Sequence, residues 1–125
     1  DELMLVRADV RLLMQVFVNL LDNALKYTPP EAEIRLSARK QNGFAIIEAA
    51  DDGPGISLED KAHVFDLFYT GRHSEGDGRR GMGIGLALCR SIVVAHGGSI
   101  SVRDNQPHGT IFRIALKLEV ADGDE

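Results

Sequence analysis

Apolar residues at Leu13, Val16, Phe17, Leu20 and Ala24 recur at helical spacing and predict a helix with one buried face. Asp9 is a suitable N-cap for it, and Thr28-Pro29-Pro30 stops it near Tyr27, because proline biases the residue before it away from helical angles. Ahead of it, Leu3 to Arg7 alternates over a short run, as an edge strand or an extended lead-in would. Ala32 to Lys40 places Ile34, Leu36 and Ala38 on one side, the period of a half-buried strand. Gln41-Asn42-Gly43 is a turn signal, and Phe44 to Ala50 then reads as the returning strand of a hairpin. Ser57 caps a short helix that ends near Phe65, with Asp60 three residues on as an imperfect capping box. Residues 70–80 are polar and glycine-rich without periodicity, the pattern of a loop or lid. A second long helix is predicted from about Ile84 to His96, stopped by Gly97-Gly98. Ser99 to Arg103 and Thr110 to Leu118 alternate as two strands joined by a turn over 104–109. This order predicts an α+β, two-layer sandwich: two or three helices on one face of a mixed, mostly antiparallel sheet. Residues 1–120 form one domain in this reading, and 121–125 an acidic tail.

Composition narrows the classes. The 125 residues suit one domain with a core of its own, and 44% hydrophobic with 26% charged residues is the balance of a globular chain. A net charge of −5 gives no basic footprint for nucleic acid. The single cysteine, Cys89, lies in the apolar run from Ile84 to Ala95, where burial is the simplest role, and it fits a reducing, cytoplasmic setting. No run reaches the length of a membrane span, and no signal-peptide pattern opens the chain. An excised cytoplasmic domain is the expectation.

Three stretches carry candidate chemistry. Asn19, Asn23, Lys26 and Tyr27 form a polar stripe beside the buried face of the first helix. Amide oxygens suit a partly hydrated Mg²⁺, and a lysine ammonium suits a phosphate oxygen. The plain alternative is a solvated helix edge. The second stretch is Asp51-x-Gly53-x-Gly55-Ile56, where a carboxylate at a strand end can accept from an exocyclic amine and glycines admit a flat ring. By itself Asp-Gly-Pro-Gly is more often a turn. The third is Gly81-x-Gly83-x-Gly85-Leu86 at a helix start, where unpaired N–H groups favour phosphate. Its spacing is neither a P-loop nor a dinucleotide fingerprint. The three together, in this order, are far more specific than any one.

Taken together they resemble the ATP-binding catalytic domain of sensor histidine kinases, in the Bergerat-type superfamily that includes gyrase, a heat-shock chaperone and the mismatch-repair ATPases. Asn19 to Tyr27 resembles the N-box, Asp51 to Ile56 the first glycine box, and Phe65 to Phe68 the F-box. Gly81 to Leu86 resembles the second glycine box, and Gly109 to Phe112 the closing strand motif. The likeness covers residues 3–118. The runs Asp77 to Ile92, Ala95 to Gly98 and Asp104 to Thr110 look most like potassium-responsive, Kdp-type sensor kinases.

The resemblance implies that ATP and Mg²⁺ are the ligands. Asn23 would coordinate Mg²⁺ with Asn19 assisting, Lys26 would contact phosphate and Tyr27 would stack on adenine. Asp51 would take the adenine amine, Gly53, Gly55 and Ile56 would line the base site, and Thr110 would support it through water. Gly81, Gly83, Gly85 and Leu86 would shape the lid end. Hydrolysing members of the superfamily carry a glutamate base where Asn19 stands, and an amide cannot take a proton at neutral pH. The γ-phosphate would thus be kept for a histidine on a separate dimerisation domain, and then for a response regulator. None of His63, His73, His96 and His108 sits in the acceptor setting; His96 fits a helix C-terminus favoured by the dipole. Without dimerising helices the chain should be monomeric, and its parent a sensor of the inner or plasma membrane. Two other classes stay open: a serine/threonine kinase of the same superfamily, and a non-catalytic nucleotide-binding interaction module.

Overall fold

In the computed structural model, residues 5–66 and 82–119 are described, without the side chains of residues 27 and 82–84. The elements run α1 (Val10–Tyr27), β1 (Ile34–Gln41), β2 (Phe44–Asp51), α2 (Leu58–Lys61), α3 (Met82–Ala95), β3 (Ser99–Asp104) and β4 (Thr110–Lys117). The strands form one antiparallel sheet in the order β1-β2-β4-β3.

Helix α1 begins where Asp9 Oδ1 accepts the N–H groups of Arg11 (3.0 Å) and Leu12 (3.3 Å). It ends at Thr28, whose backbone is extended before Pro29 and whose Oγ1 donates to the Ala24 carbonyl at 2.7 Å. Helix α3 closes on Gly97 and Gly98, with the Gly98 N–H returning to the Val93 carbonyl at 2.9 Å. Between β1 and β2 the turn falls on Asn42 and Gly43, both at positive φ (53° and 84°), as a two-residue hairpin requires.

Alternation in β4 turns Phe112, Ile114 and Leu116 inward under the helices. The register sets Ala49 against Phe112, Ile47 against Ile114 and Ala45 against Leu116, so small and large residues interdigitate. Val16 and Leu20 of α1 and Leu86, Cys89, Ile92 and Val93 of α3 complete this core, and Phe65 meets Phe112 edge-on at 6.1 Å between ring centroids. The Cys89 thiol donates to the Val16 carbonyl at 3.6 Å, and burial pushes it up to about 11. It is a packing residue, as its apolar surroundings predicted.

The other sheet face is polar around Glu48. Its carboxylate meets Arg39 at 3.4 Å and Arg103 at 3.1 Å, one from each flanking side of the sheet. Burial alone would raise the Glu48 pKa, but the hydrogen bond and charge of Arg103, then those of Arg39, outweigh it and hold the group below its ordinary value.

Four expectations need correction. The strand β1 is not half-buried: it is exposed nearly throughout, because it is an edge strand with no helix above it, and Leu36 remains 52% exposed. Among the described residues every strand pair is antiparallel, without the parallel pair of a mixed sheet. Helix α2 stops at Lys61, and the chain to residue 66 continues as turns such as His63 N–H to the Asp60 carbonyl. Helix α3 starts at Met82, two residues before the expected Ile84, since glycine in a first turn costs only about 1 kcal/mol against alanine. Leu3 and Met4 lie outside the described residues; Val6 makes an isolated antiparallel bridge to Leu118, closer to a lead-in than a strand.

Candidate functional site

The site is built where the C-terminal half of α1, the end of β2, the start of β4 and the first turn of α3 converge. Asp51 closes β2 and pairs in register with Thr110, the first residue of β4. Both are buried. Asp51 Oδ1 accepts the Gly53 N–H at 2.9 Å, which turns the loop back under its own carboxylate. A Cβ on Gly53 would stand 2.7 Å from Cγ2 of Thr28, so only glycine lets this loop lie against the end of α1. That contact brings the first glycine stretch to the polar stripe. Gly55 has φ 86° and faces the Gly109 carbonyl, where a Cβ would come within 3.3 Å.

The stripe itself is partly engaged. Asn19 Oδ1 accepts from Gln15 Nε2 at 3.0 Å, and Asn19 Nδ2 lies 3.4 Å from the Gly85 carbonyl, reaching from α1 to the second glycine stretch. Asn23 is half-buried one turn on. Lys26 Nζ pairs with Asp22 at 3.0 Å along the helix, an exchangeable surface pair. Gly83 and Gly85 fall in the first turn of α3 rather than in a loop before it, and the space over Gly85 is open. Leu86 is buried in the core and Ile56 packs against that core. Gly81, the side chain of Tyr27, Phe68 and the whole loop over 70–80 with His73 lie outside the described residues.

Two side chains that the sequence left as turn residues belong to this site. Asn105 Nδ2 donates to the Asp51 carbonyl at 2.8 Å, and His108 Nδ1 stands 3.0 Å from the Gly53 carbonyl. A Gln-Pro-containing turn gives no periodic signal, and the partners are over fifty residues away in sequence; nothing local could have revealed them. His96 stands at the C-terminal end of α3, as expected, and does more there. Its Nδ1 donates to the Ile92 carbonyl (2.8 Å) and its Nε2 accepts the Asp9 N–H (3.0 Å), so from the C-terminus of α3 the ring also ties that helix to the start of α1. His63 lies 2.8 Å from Asp66 at the surface, as expected for a residue outside the chemistry.

Among the described residues, no helix is long and apolar enough to cross a membrane, and no cluster of three His, Cys, Asp or Glu side chains could hold a metal.

The sequence matches the family described as histidine kinase-, DNA gyrase B-, and HSP90-like ATPase over residues 8–120. It is 38% identical over 120 residues to sensor protein KdpD of Clostridium acetobutylicum, covering 96% of this chain and 13% of that protein. It is 40% identical over 113 residues to sensor protein CiaH of Streptococcus pneumoniae, covering 89% of this chain and 25% of that one. The chain thus spans a quarter or less of the length of these curated relatives. Its structure is similar to that of the mycobacterial sensor histidine kinase MprB, with TM-score 0.80, 30% identity, and 93% of this chain and 78% of that chain covered. Full-length ShkA in complex with AMPPNP is similar at TM-score 0.79 and 27% identity, over 98% of this chain and 25% of that one. A two-layer sandwich with its amide stripe, buried strand-end aspartate and glycine turns in these places, matched over nearly its whole length, belongs to the histidine kinase-, DNA gyrase B- and HSP90-like ATPase family as an ATP-binding domain of the sensor-histidine-kinase kind.

Proposed function

We propose that this domain binds Mg-ATP and transfers the γ-phosphate to a histidine on a helical dimerisation domain of its parent protein, from which a response regulator would take it. The observation that carries the reading is the buried Asp51 at the end of β2, one of whose oxygens accepts the Gly53 N–H in a loop that glycines let pack closely. That arrangement suits a carboxylate that accepts from the adenine amino group. Gly53, Gly55 and Ile56 would border the base, Thr110 would support Asp51 through water, and Tyr27 would stack on the ring. Lys26 would exchange its Asp22 partner for a phosphate oxygen, with Gly81, Gly83, Gly85 and Leu86 shaping the phosphate end at the start of α3. Mg²⁺, held by Asn23 with Asn19 assisting, would supply charge neutralisation at the phosphates.

Asn19 supports transfer rather than hydrolysis. Its amide is committed to Gln15 and directed at the Gly85 carbonyl, and it has no basic lone pair with which to deprotonate water. The domain's contribution to phosphoryl transfer is then positioning and electrostatics. The likeness to sensor protein KdpD supports a Kdp-type, potassium-responsive parent, and with it a membrane-bound sensor whose catalytic domain faces the cytoplasm. The isolated domain should be monomeric.

The test is incubation of the chain with γ-labelled Mg-ATP, with and without the parent's helical domain expressed separately. Acid-labile, base-stable label on that domain establishes histidine phosphorylation. Label on serine or threonine of a partner transfers the reading to the other kinase class. Nucleotide binding with no transfer to either reduces the domain to an interaction module.

A further inference from the structure

Asp51 is the last residue of β2, paired with Thr110, and further bonds tie its backbone and the loop that follows to a neighbouring segment. The turn between β3 and β4 holds them. Asn105 is half-buried, and its amide donates to the Asp51 carbonyl at 2.8 Å while its own oxygen accepts the Gln106 N–H at 2.9 Å. The Asn105 N–H closes the turn on the Gly109 carbonyl at 3.0 Å. His108 reaches the Gly53 carbonyl two residues beyond Asp51, with its Nδ1 3.0 Å away. Gly109 passes so close that a Cβ there would sit 2.0 Å from the Asp51 carbonyl oxygen, which leaves no slack between turn and loop. On the opposite side, Asp52 is held by Glu33, whose N–H donates to Asp52 Oδ1 at 2.7 Å.

We infer that Asn105 and His108 are positioning residues for base selection: from the β3–β4 turn they clamp the Asp51 and Gly53 carbonyls and so fix where the Asp51 carboxylate can meet an exocyclic amine. The inference rests on the reading of Asp51 as the adenine contact. Neither residue touches the nucleotide in this account. Their effect is on the discrimination between a purine that carries a 6-amino group and one that does not, because a site built to take one hydrogen bond discriminates only as well as its acceptor is fixed. A site residue needed merely for folding would weaken all nucleotides alike.

The experiment compares the affinities of Mg-ATP and Mg-ITP for the 125-residue chain by titration calorimetry. Inosine presents a carbonyl where adenine presents the amino group. Asn105→Ala and His108→Leu should each lower the ATP-over-ITP preference by about fivefold, the worth of one net hydrogen bond, with ITP affinity unchanged. His108→Asn, which places an amide N–H near the former Nδ1, should keep the wild-type preference. Asp51→Asn serves as the reference and should abolish it. If Asp51→Asn loses the preference while Asn105→Ala and His108→Leu retain it, the clamp is wrong and the Asp51 reading stands. If Asp51→Asn retains the preference, the reading of Asp51 falls and the clamp with it. Equal weakening of both nucleotides by the turn variants would also overturn the inference. Because His108 is exposed, its variant keeps the test available even if Asn105→Ala fails to fold.

Discussion

Gly53 shows how much of this site depends on single atoms. A methyl group there would overlap the Thr28 side chain, so the loop would have to lift from the end of α1. Gly53→Val is expected to cost about 1–3 kcal/mol in urea denaturation, the range for forcing bulk into a packed contact, and to weaken ATP binding in the same variant. Asn23→Ala separates function from stability in the other direction. The residue is half-buried beside the core rather than in it, so its loss should change stability by less than about 1 kcal/mol while Mg²⁺-dependent transfer falls by a large factor. Phosphotransfer to the helical domain, measured against free Mg²⁺ concentration, checks this; transfer at the wild-type rate by the folded variant would refute the metal assignment. At this scale the sequence was informative about residue types and silent about partners. Asn19, Asp51 and Thr110 could be picked out by spacing and resemblance. The bonds of Asn105 and His108 could not, since they join segments that only the finished sheet brings together.

At the scale of elements, boundaries set by local chemistry were legible. Asp9 caps α1, the proline pair ends it, and the Asn42-Gly43 turn fixes the hairpin register from Ile34 opposite Asp51 to Gln41 opposite Phe44. Features set by neighbours were not. The alternation of β1 looked like that of a half-covered strand, yet nothing in those eight residues could say that the helices lie over other strands. Nor could the glycines before Ile84 announce that a helix would accept them in its first turn. His96 belongs to this scale as well, for it joins two helices at their ends. Removing it leaves the Asp9 N–H and the Ile92 carbonyl without that ring. His96→Ala should therefore destabilise the fold by about 1 kcal/mol in denaturant titration, with nucleotide affinity preserved because the contact lies at the far end of α1 from the site.

For the whole molecule, the face of the sheet away from the helices carries an ion-pair network besides the buried Ile46. Glu48, only 12% exposed in its side chain, ties Arg39 of the edge strand to Arg103 of β3 across the sheet's width. Its depressed pKa means that the folded state favours the carboxylate more than the unfolded chain does. The stabilisation is present in full above the ordinary value of 4.5 and is lost as pH falls below it through the folded-state value. Glu48→Gln should lower stability by about 1 kcal/mol at neutral pH and flatten the acid limb of the stability curve; urea midpoints taken from pH 7 to pH 3 read both effects. The architecture as a whole was legible in the alternation of patterns: helix, hairpin, short helix, helix, hairpin allow few arrangements besides one sheet covered on one side. The order of the strands was not, because β4 enters between β2 and β3 and that choice is made by tertiary packing.

The bridge between Val6 and Leu118 gives the fold a closed seam. There the Glu119 N–H meets the Leu5 carbonyl, and Arg7 pairs with Glu119 at 2.9 Å. Residues 5–7 and 118–119 therefore lie side by side, at one point on the perimeter. A domain stitched in this way behaves as a cassette: it can be spliced into a surface loop of another protein without prising the host apart. By the same geometry, a linker can join Leu5 to Glu119 and new ends can open at the exposed Asn42-Gly43 turn, leaving the bonds around Asp51 on an uncut thread.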